Sequence, residues 1–116
     1  MIRCVLVATD GSEASVAAVH TGVDLRQSLG PGARLHVASV VDYAAVPGVL
    51  AKRPAGAPDL LAEQARAALE HAGQIVAASG VTAGSHLLQG DVVEAILACA
   101  RAVGADILVA GFHGQN

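Results

Sequence analysis

The stretch that most constrains the fold is a short apolar run near the start of the chain that ends at a polar turn. Residues 4–8 are all apolar, and Thr9, Asp10, Gly11 and Ser12 follow at once. Such a run predicts a strand buried on both faces, and the polar turn predicts the start of a helix. Ligands of parallel α/β sheets bind where strands end, because helix N-termini and free backbone N–H groups converge there. Asp10 therefore lies where a ligand is expected.

Apolar runs alternate with helical patterns along the rest of the chain. The predicted strands span residues 4–8, 33–41, 81–88 and 106–110, and the predicted helices span residues 13–29, 59–79 and 91–103. This alternation predicts an α/β fold with a parallel open sheet and right-handed crossovers. The third run is diluted by polar residues and reads as an edge strand, whereas the first and fourth are strongly apolar. These differences favour the strand order 3-2-1-4, with the first and fourth strands adjacent.

A long segment without periodicity follows the second strand. Residues 42–58 contain three prolines and two glycines, and Lys52 and Arg53 form the only adjacent basic pair. Loops longer than about 12–15 residues in compact domains are commonly functional or disordered. We interpret this one as a mobile flap beside the ligand side of the sheet, rather than as an inert surface loop.

Composition and charge narrow the functional classes. The 116 residues suffice for one domain, and no apolar run approaches the roughly 20 residues of a membrane-spanning helix. The net charge of −3 and the presence of only two aromatic residues, Tyr43 and Phe112, argue against a nucleic-acid partner. The start of the chain has no signal-peptide pattern, so a cytoplasmic location is expected.

The cysteines and histidines give no sign of a metal centre in the sequence. Cys4 and Cys99 are isolated in a strand pattern and a helix pattern, so we expect reduced thiols in the core rather than a disulfide. The histidines lie in separate elements without metal-ligand spacing, at His20, His36, His71, His86 and His113. No zinc site is expected from this arrangement.

Two polar segments are predicted to form the lips of a crevice between the first and fourth strands. One is Thr9-Asp10-Gly11, and the other is Gly111-Phe112-His113-Gly114. Two glycines after a strand permit positive φ angles and a close approach of backbone N–H groups to anionic oxygens. The same pattern also suits a simple strand-ending turn. Asp10 is either a helix cap or a ligand contact, and capping by Ser12 would leave it available for a ligand or a metal-bound phosphate.

These segments resemble those of the universal stress protein family. Residues 5–12 are similar to the family's opening strand, residues 90–96 to the start of its third helix, and residues 105–114 to its fourth strand and glycine loop. The resemblance covers nearly the whole chain and implies a Rossmann-like, adenine nucleotide alpha hydrolase-like fold. The family's nucleotide motif is Gly-x-x-Gly, nine residues, then Gly with Ser or Thr. Only Gly111 and Gly114 of that motif are present, so we expect a single domain truncated at its C-terminus relative to the family, without the fifth strand.

The resemblance also implies a ligand and its contacts. It places ATP against a set of residues that we take as the predicted site: Thr9, Asp10, Gly11, Val40, Val41, Gly111, Phe112, His113 and Gly114. Val40 or Val41 would meet the adenine with its main chain, and Asp10 would hold a nucleotide-bound Mg²⁺. The implied function is a stress-response regulatory module, and a homodimer is expected. The alternatives are a dimeric interaction protein that retains no nucleotide and a slow ATP hydrolase; catalytic groups are not identifiable, so an enzyme is less favoured.

Overall fold

The computed structural model describes residues 1–45 and 59–111. Its elements follow one another along the chain as β1 (Cys4–Ala8), α1 (Glu13–Leu29), β2 (Arg34–Val41), a 3₁₀ turn (Tyr43–Ala45), α2 (Leu60–Ala78), β3 (Gly84–Gln89), α3 (Val92–Val103) and β4 (Ile107–Ala110). The predicted alternation of strands and helices is confirmed. The proposed flap lies mainly outside the described residues, and only its first residues are seen, in the 3₁₀ turn.

The four strands form one parallel sheet in the order β3-β2-β1-β4. β1 is central and pairs with β2 from Cys4 opposite Arg34 and with β4 from Val5 opposite Ile107. β2 pairs with β3 on its other side. The predicted α/β class and strand order are therefore both confirmed. After β1 the chain adds β2 and β3 toward one edge of the sheet, and it then returns past β1 to add β4 at the other edge. This reversal opens a crevice at the carboxyl ends of the strands.

Helices cover both faces of the sheet. α1 and α2 pack on one face, against a core that includes Val5, Val7 and Val37. α3 packs on the other face, which we call the α3 face, where Leu6 and Ala38 are fully buried. Successive strand side chains point to opposite faces, so β1 must be apolar throughout to serve both layers. All five of its residues are buried, as its sequence predicts.

The structure corrects several details of these elements. β3 begins at Gly84 rather than at residue 81, because Val81 is buried in the α1 and α2 layer instead of extending the strand. In α1, the spacing of Val16, Val19 and Val23 predicts one buried stripe, but Val16 is only half-buried. In α3, the spacing allows either Val92 or Val93 to begin the buried stripe. The structure packs Val92 against the core and leaves Val93 61% exposed.

Side-chain caps begin α1 and α3. Ser12 is the N-cap of α1 and accepts a hydrogen bond from the Ser15 N–H, and Asp91 caps α3 by accepting one from the Glu94 N–H. Cys4 and Cys99 are free thiols and are buried, as expected. In the described part of the chain, no helix is long and apolar enough to cross a membrane.

A candidate ligand-binding crevice

A crevice of about 150 Å³ opens at the carboxyl ends of β1, β2 and β4, on the α3 face. Its floor and walls are mainly aliphatic, and polar groups occur at the turn after β1. The lining consists of Ala8, Thr9, Asp10, Ala38, Val40, Val92, Ile96 and Gly111. An aliphatic slot beside a few polar groups suits a flat, largely apolar ring system with a polar substituent.

A buried hydroxyl organises the polar side of this crevice. Ser15, in the first turn of α1, is fully buried. Its Oγ accepts hydrogen bonds from the Thr9 hydroxyl at 2.9 Å and from the Asp10 N–H at 3.2 Å, and donates one to the Ser12 carbonyl oxygen at 3.0 Å. One side chain thus ties the end of β1 to the start of α1.

Asp10 is exposed at the mouth of the crevice. Its Oδ1 accepts a hydrogen bond from the Ser12 N–H at 2.9 Å, so the carboxylate stabilises the turn, and Ser12 caps the helix. The pKa of Asp10 lies below its ordinary value. Partial burial is the largest single influence and acts to raise the pKa, but hydrogen bonds from Ser12 and Ser15 together outweigh it. The carboxylate is therefore ionised at neutral pH.

Two glycines allow the lips of the crevice to approach α1. Gly11 has a φ of +85°, a conformation that side chains with a Cβ rarely adopt. Gly111, at the end of β4, does not have a positive φ, but a Cβ there would overlap the backbone carbonyl group of Ala14. The glycine at 111 is thus needed for close packing rather than for backbone freedom, which differs from the role expected for it.

The structure brings only part of the predicted site together. Thr9, Asp10, Val40 and Gly111 all line the crevice. Gly11 shapes the turn after β1 but does not line the crevice. Val41 is on the opposite face of β2, in a small cluster with α2 residues, and its carbonyl oxygen accepts the Gly90 N–H at 3.0 Å. The predicted residues Phe112, His113 and Gly114 lie outside the described residues.

Other residues of the crevice were not singled out from the sequence as site residues. They are Ala8, Ala38, Val92 and Ile96 in the lining and Ser15 beneath the polar turn. Val92 and Ile96 belong to the apolar stripe of α3, so the hydrophobic periodicity of the helix predicts core residues at these positions. The strand order could have indicated Ala38, because it lies opposite Ala8 on the adjacent strand. A single buried serine has no comparable signal.

A second groove, of about 130 Å³, lies next to the crevice, between α3 and β4. Its lining residues are Val92, Val93, Ile96, Leu97, Leu108 and Ala110, and we call it the α3–β4 groove. Leu97 is 42% exposed and Leu108 is 41% exposed. Among the described residues, β4 pairs only with β1, so its outer edge is unpaired.

Comparison with known proteins places this architecture in a family. The sequence model of the universal stress protein family matches residues 1–116. The chain belongs to the universal stress protein family. This confirms the resemblance inferred from the opening strand and the glycine loop. A search of curated proteins found no match to the sequence.

Solved structures agree with this assignment. A universal stress family protein from Burkholderia pseudomallei is 29% identical, with a TM-score of 0.74, and the match covers 95% of this chain and 81% of that one. A universal stress protein solved in complex with cAMP is 29% identical, with a TM-score of 0.65, and the match covers 92% of this chain and 74% of that one. UspA from Lactobacillus plantarum is 26% identical, with a TM-score of 0.66 and coverages of 98% and 79%.

Proposed function

We propose that this universal stress protein binds an adenine nucleotide, ATP in particular, in the crevice and acts as a stress-response regulatory module. The observation that carries the proposal is the crevice itself, an aliphatic slot that ends at the Thr9–Asp10 turn. Its volume of about 150 Å³ is below the roughly 300–1,000 Å³ of typical ligand pockets. Such a slot suits the base alone, and the ribose and phosphates would extend toward the turn.

The chemistry of the lining supports an adenine ring. Ala38 and Val40 from β2 line the crevice together with Val92 and Ile96 from α3, so a flat base would lie against aliphatic side chains. The described lining contains no aromatic residue, and dispersion contacts with methyl groups would provide the affinity. The family member solved with cAMP, itself an adenine nucleotide, supports the same ligand class.

Asp10 sets a condition on how the phosphates bind. Its lowered pKa keeps the carboxylate negative, so it would repel a bare phosphate. A nucleotide-bound Mg²⁺ held by Asp10 would remove that repulsion, because Mg²⁺ commonly binds one or two carboxylates together with substrate phosphates. Within the described residues no group of three or more acidic, histidine or cysteine side chains could hold a metal ion alone, so the nucleotide would supply the other ligands.

The test is titration calorimetry of Mg·ATP with the unaltered protein and with Asp10→Asn. We expect the variant to bind about tenfold or more weakly, since a charge-assisted contact contributes about 1.5–3 kcal/mol. Glu13→Gln removes an equally exposed charge from the adjoining helix turn and serves as the control. Equal affinity in Asp10→Asn and the unaltered protein would remove Asp10 from the site.

A second candidate function is self-association through the α3–β4 groove, as expected of a family member that works as a homodimer. Val93, Leu97 and Leu108 are exposed in this groove, and the outer edge of β4 pairs with no other described strand. Such an edge is a template for another strand. Light scattering would show concentration-dependent dimers that Leu108→Lys abolishes. Leu60→Lys changes an equally apolar exposed residue on α2 and should leave them intact. A protein that stays monomeric at all concentrations would contradict this candidate.

A further inference from the structure

Two histidines meet on the α3 face of the sheet, and neither of them lines the crevice. His36 lies on β2 and His86 on the edge strand β3, and the two are 50 positions apart in the sequence. Nδ1 of His36 and Nε2 of His86 are 2.9 Å apart, and the ring centroids are separated by 5.1 Å. Both residues are half-buried.

A glycine makes this pairing sterically possible. Gly84 lies opposite His36 in the β2–β3 register. A Cβ at position 84 would lie 2.5 Å from Nδ1 of His36 and 3.0 Å from its Cε1. The imidazole of His36 therefore occupies space that the Cβ of any other residue at position 84 would fill. The absence of a Cβ at Gly84 allows the His36 ring to contact His86.

We propose that His36 and His86 form a two-imidazole binding site for a divalent late transition-metal ion, with Cu²⁺ bound most tightly. Imidazole is the commonest protein ligand for such ions. Two neighbouring ligands of a square-planar ion, with metal–nitrogen bonds of about 2.0–2.1 Å, lie about 2.8–3.0 Å apart. The observed separation of 2.9 Å fits this spacing. Square-planar geometry is typical of Cu²⁺ and Ni²⁺, and Cu²⁺ has the highest affinity for nitrogen sites among the divalent first-row metals.

Metal binding replaces the hydrogen bond between the rings. In the metal-free pair, one ring donates its N–H to the other ring's nitrogen. To bind the ion, that ring moves its proton to its far nitrogen by exchange with solvent, and both rings turn so that their lone pairs converge on one point. No net proton is lost from two neutral imidazoles, and water would complete the coordination.

The local electrostatics favour neutral imidazole at neutral pH. Burial, the neighbouring His86 side chain and the Arg34 guanidinium lower the pKa of His36. Arg34, two residues earlier on β2, also opposes a bound cation, so Arg34→Gln should tighten metal binding.

The test titrates Cu²⁺ into the unaltered protein and into His36→Gln and His86→Gln, by calorimetry without nucleotide. Each variant should bind at least about tenfold more weakly, because even residues that only orient a metal ligand contribute about 10–100-fold. His71→Gln removes an exposed histidine from α2 and should leave the affinity unchanged. Equal Cu²⁺ affinity in the unaltered protein and in both variants would overturn the proposal.

A second measurement is independent of any effect of the variants on folding. The electron paramagnetic resonance spectrum of Cu²⁺ on the unaltered protein should show hyperfine coupling to two equatorial imidazole nitrogens. A spectrum with one such nitrogen or none would also overturn the proposal. Because the histidine pair does not line the crevice, the proposal stands independently of nucleotide binding.

Discussion

At the scale of single residues, the polar turn after β1 depends on Ser15. This hydroxyl satisfies the Thr9 hydroxyl and the Asp10 N–H while fully buried, and it returns a hydrogen bond to the Ser12 carbonyl oxygen. A polar group left unpaired in the interior costs more than the hydrogen bond contributes when made. Ser15 is thus a positioning residue for the mouth of the crevice.

Ser15→Ala should lower the free energy of unfolding by about 1–3 kcal/mol, because it leaves the buried Thr9 hydroxyl and the part-buried Asp10 N–H without their acceptor. Urea denaturation followed by circular dichroism measures this change. Ser85→Ala, on the exposed face of β3, is the matched control and should change the free energy by about 0.5 kcal/mol or less. Equal effects of the two substitutions would show that the Ser15 network contributes no stability.

The histidine pair makes stability depend on pH. Folding lowers the pKa of His36 from its ordinary value of 6.5 through burial and the charges of His86 and Arg34. The unfolded chain then binds more protons than the folded one below that value, so the free energy of unfolding falls as pH decreases from about 6.5 toward the folded-state pKa of His36.

Thermal melts between pH 7.5 and 5 should therefore show a steeper loss of stability in the unaltered protein than in His36→Gln. His71→Gln, which removes an exposed histidine, should keep the steeper dependence. A pH dependence that is the same in His36→Gln and the unaltered protein would contradict the role of the pair.

The sequence could predict some of these residue roles and not others. Capping by Ser12 follows from local spacing, since a cap and its helix are adjacent in the chain. The meeting of His36 and His86 could not be predicted, because it depends on the register of β2 against β3 over 50 positions. The absence of metal-ligand spacing in the sequence was therefore a poor guide to which histidines meet.

At the scale of elements, the end of β4 is fitted closely against the start of α1. Gly111 comes so near to Ala14 that a Cβ would overlap its carbonyl oxygen. The position of β4 next to the crevice depends on this contact. Helix and strand must separate if the glycine is replaced.

Gly111→Ala should destabilise the protein by about 1–3 kcal/mol, as overpacking at rigid contacts does. It should also weaken ATP binding, since Gly111 lines the crevice. Gly32→Ala is the matched control, because no heavy atom lies within 4 Å of a Cβ at that position. Denaturation and ATP titration of the two variants measure both effects. A Gly111→Ala protein as stable as Gly32→Ala would contradict the close contact.

Strand positions followed largely from hydrophobic patterning, with exceptions that have physical causes. β1 serves both faces and reads as continuously apolar, as a central strand should. β4 reads the same way although it lies at the sheet edge, where Leu108 is 41% exposed. Apolar content alone therefore could not distinguish a covered strand from one with an open side. The sequence predicts too early a start for β3 because Val81 is apolar. Val81 is apolar because it packs in the core beneath α1 and α2, and it does not belong to the strand.

At the scale of the whole molecule, the fold gathers the crevice from parts that are distant in the chain. The turn after β1, the middle of β2, the start of α3 and the end of β4 meet at one edge of the sheet. The strand order was predictable, and with it the location of the crevice. The aliphatic walls were not, because Ala38 and Ile96 also look like ordinary core residues in the sequence.

The most direct test of nucleotide binding is a ¹H–¹⁵N NMR titration of the protein with Mg·ATP. The account predicts saturable shifts of amide signals around the crevice, in residues 8–11, 38–40, 92–96 and 111. The amides of Leu97 and Leu108, in the α3–β4 groove, should shift less. Shifts that are absent at millimolar ATP, or that concentrate in the groove, would contradict an adenine-nucleotide site in the crevice.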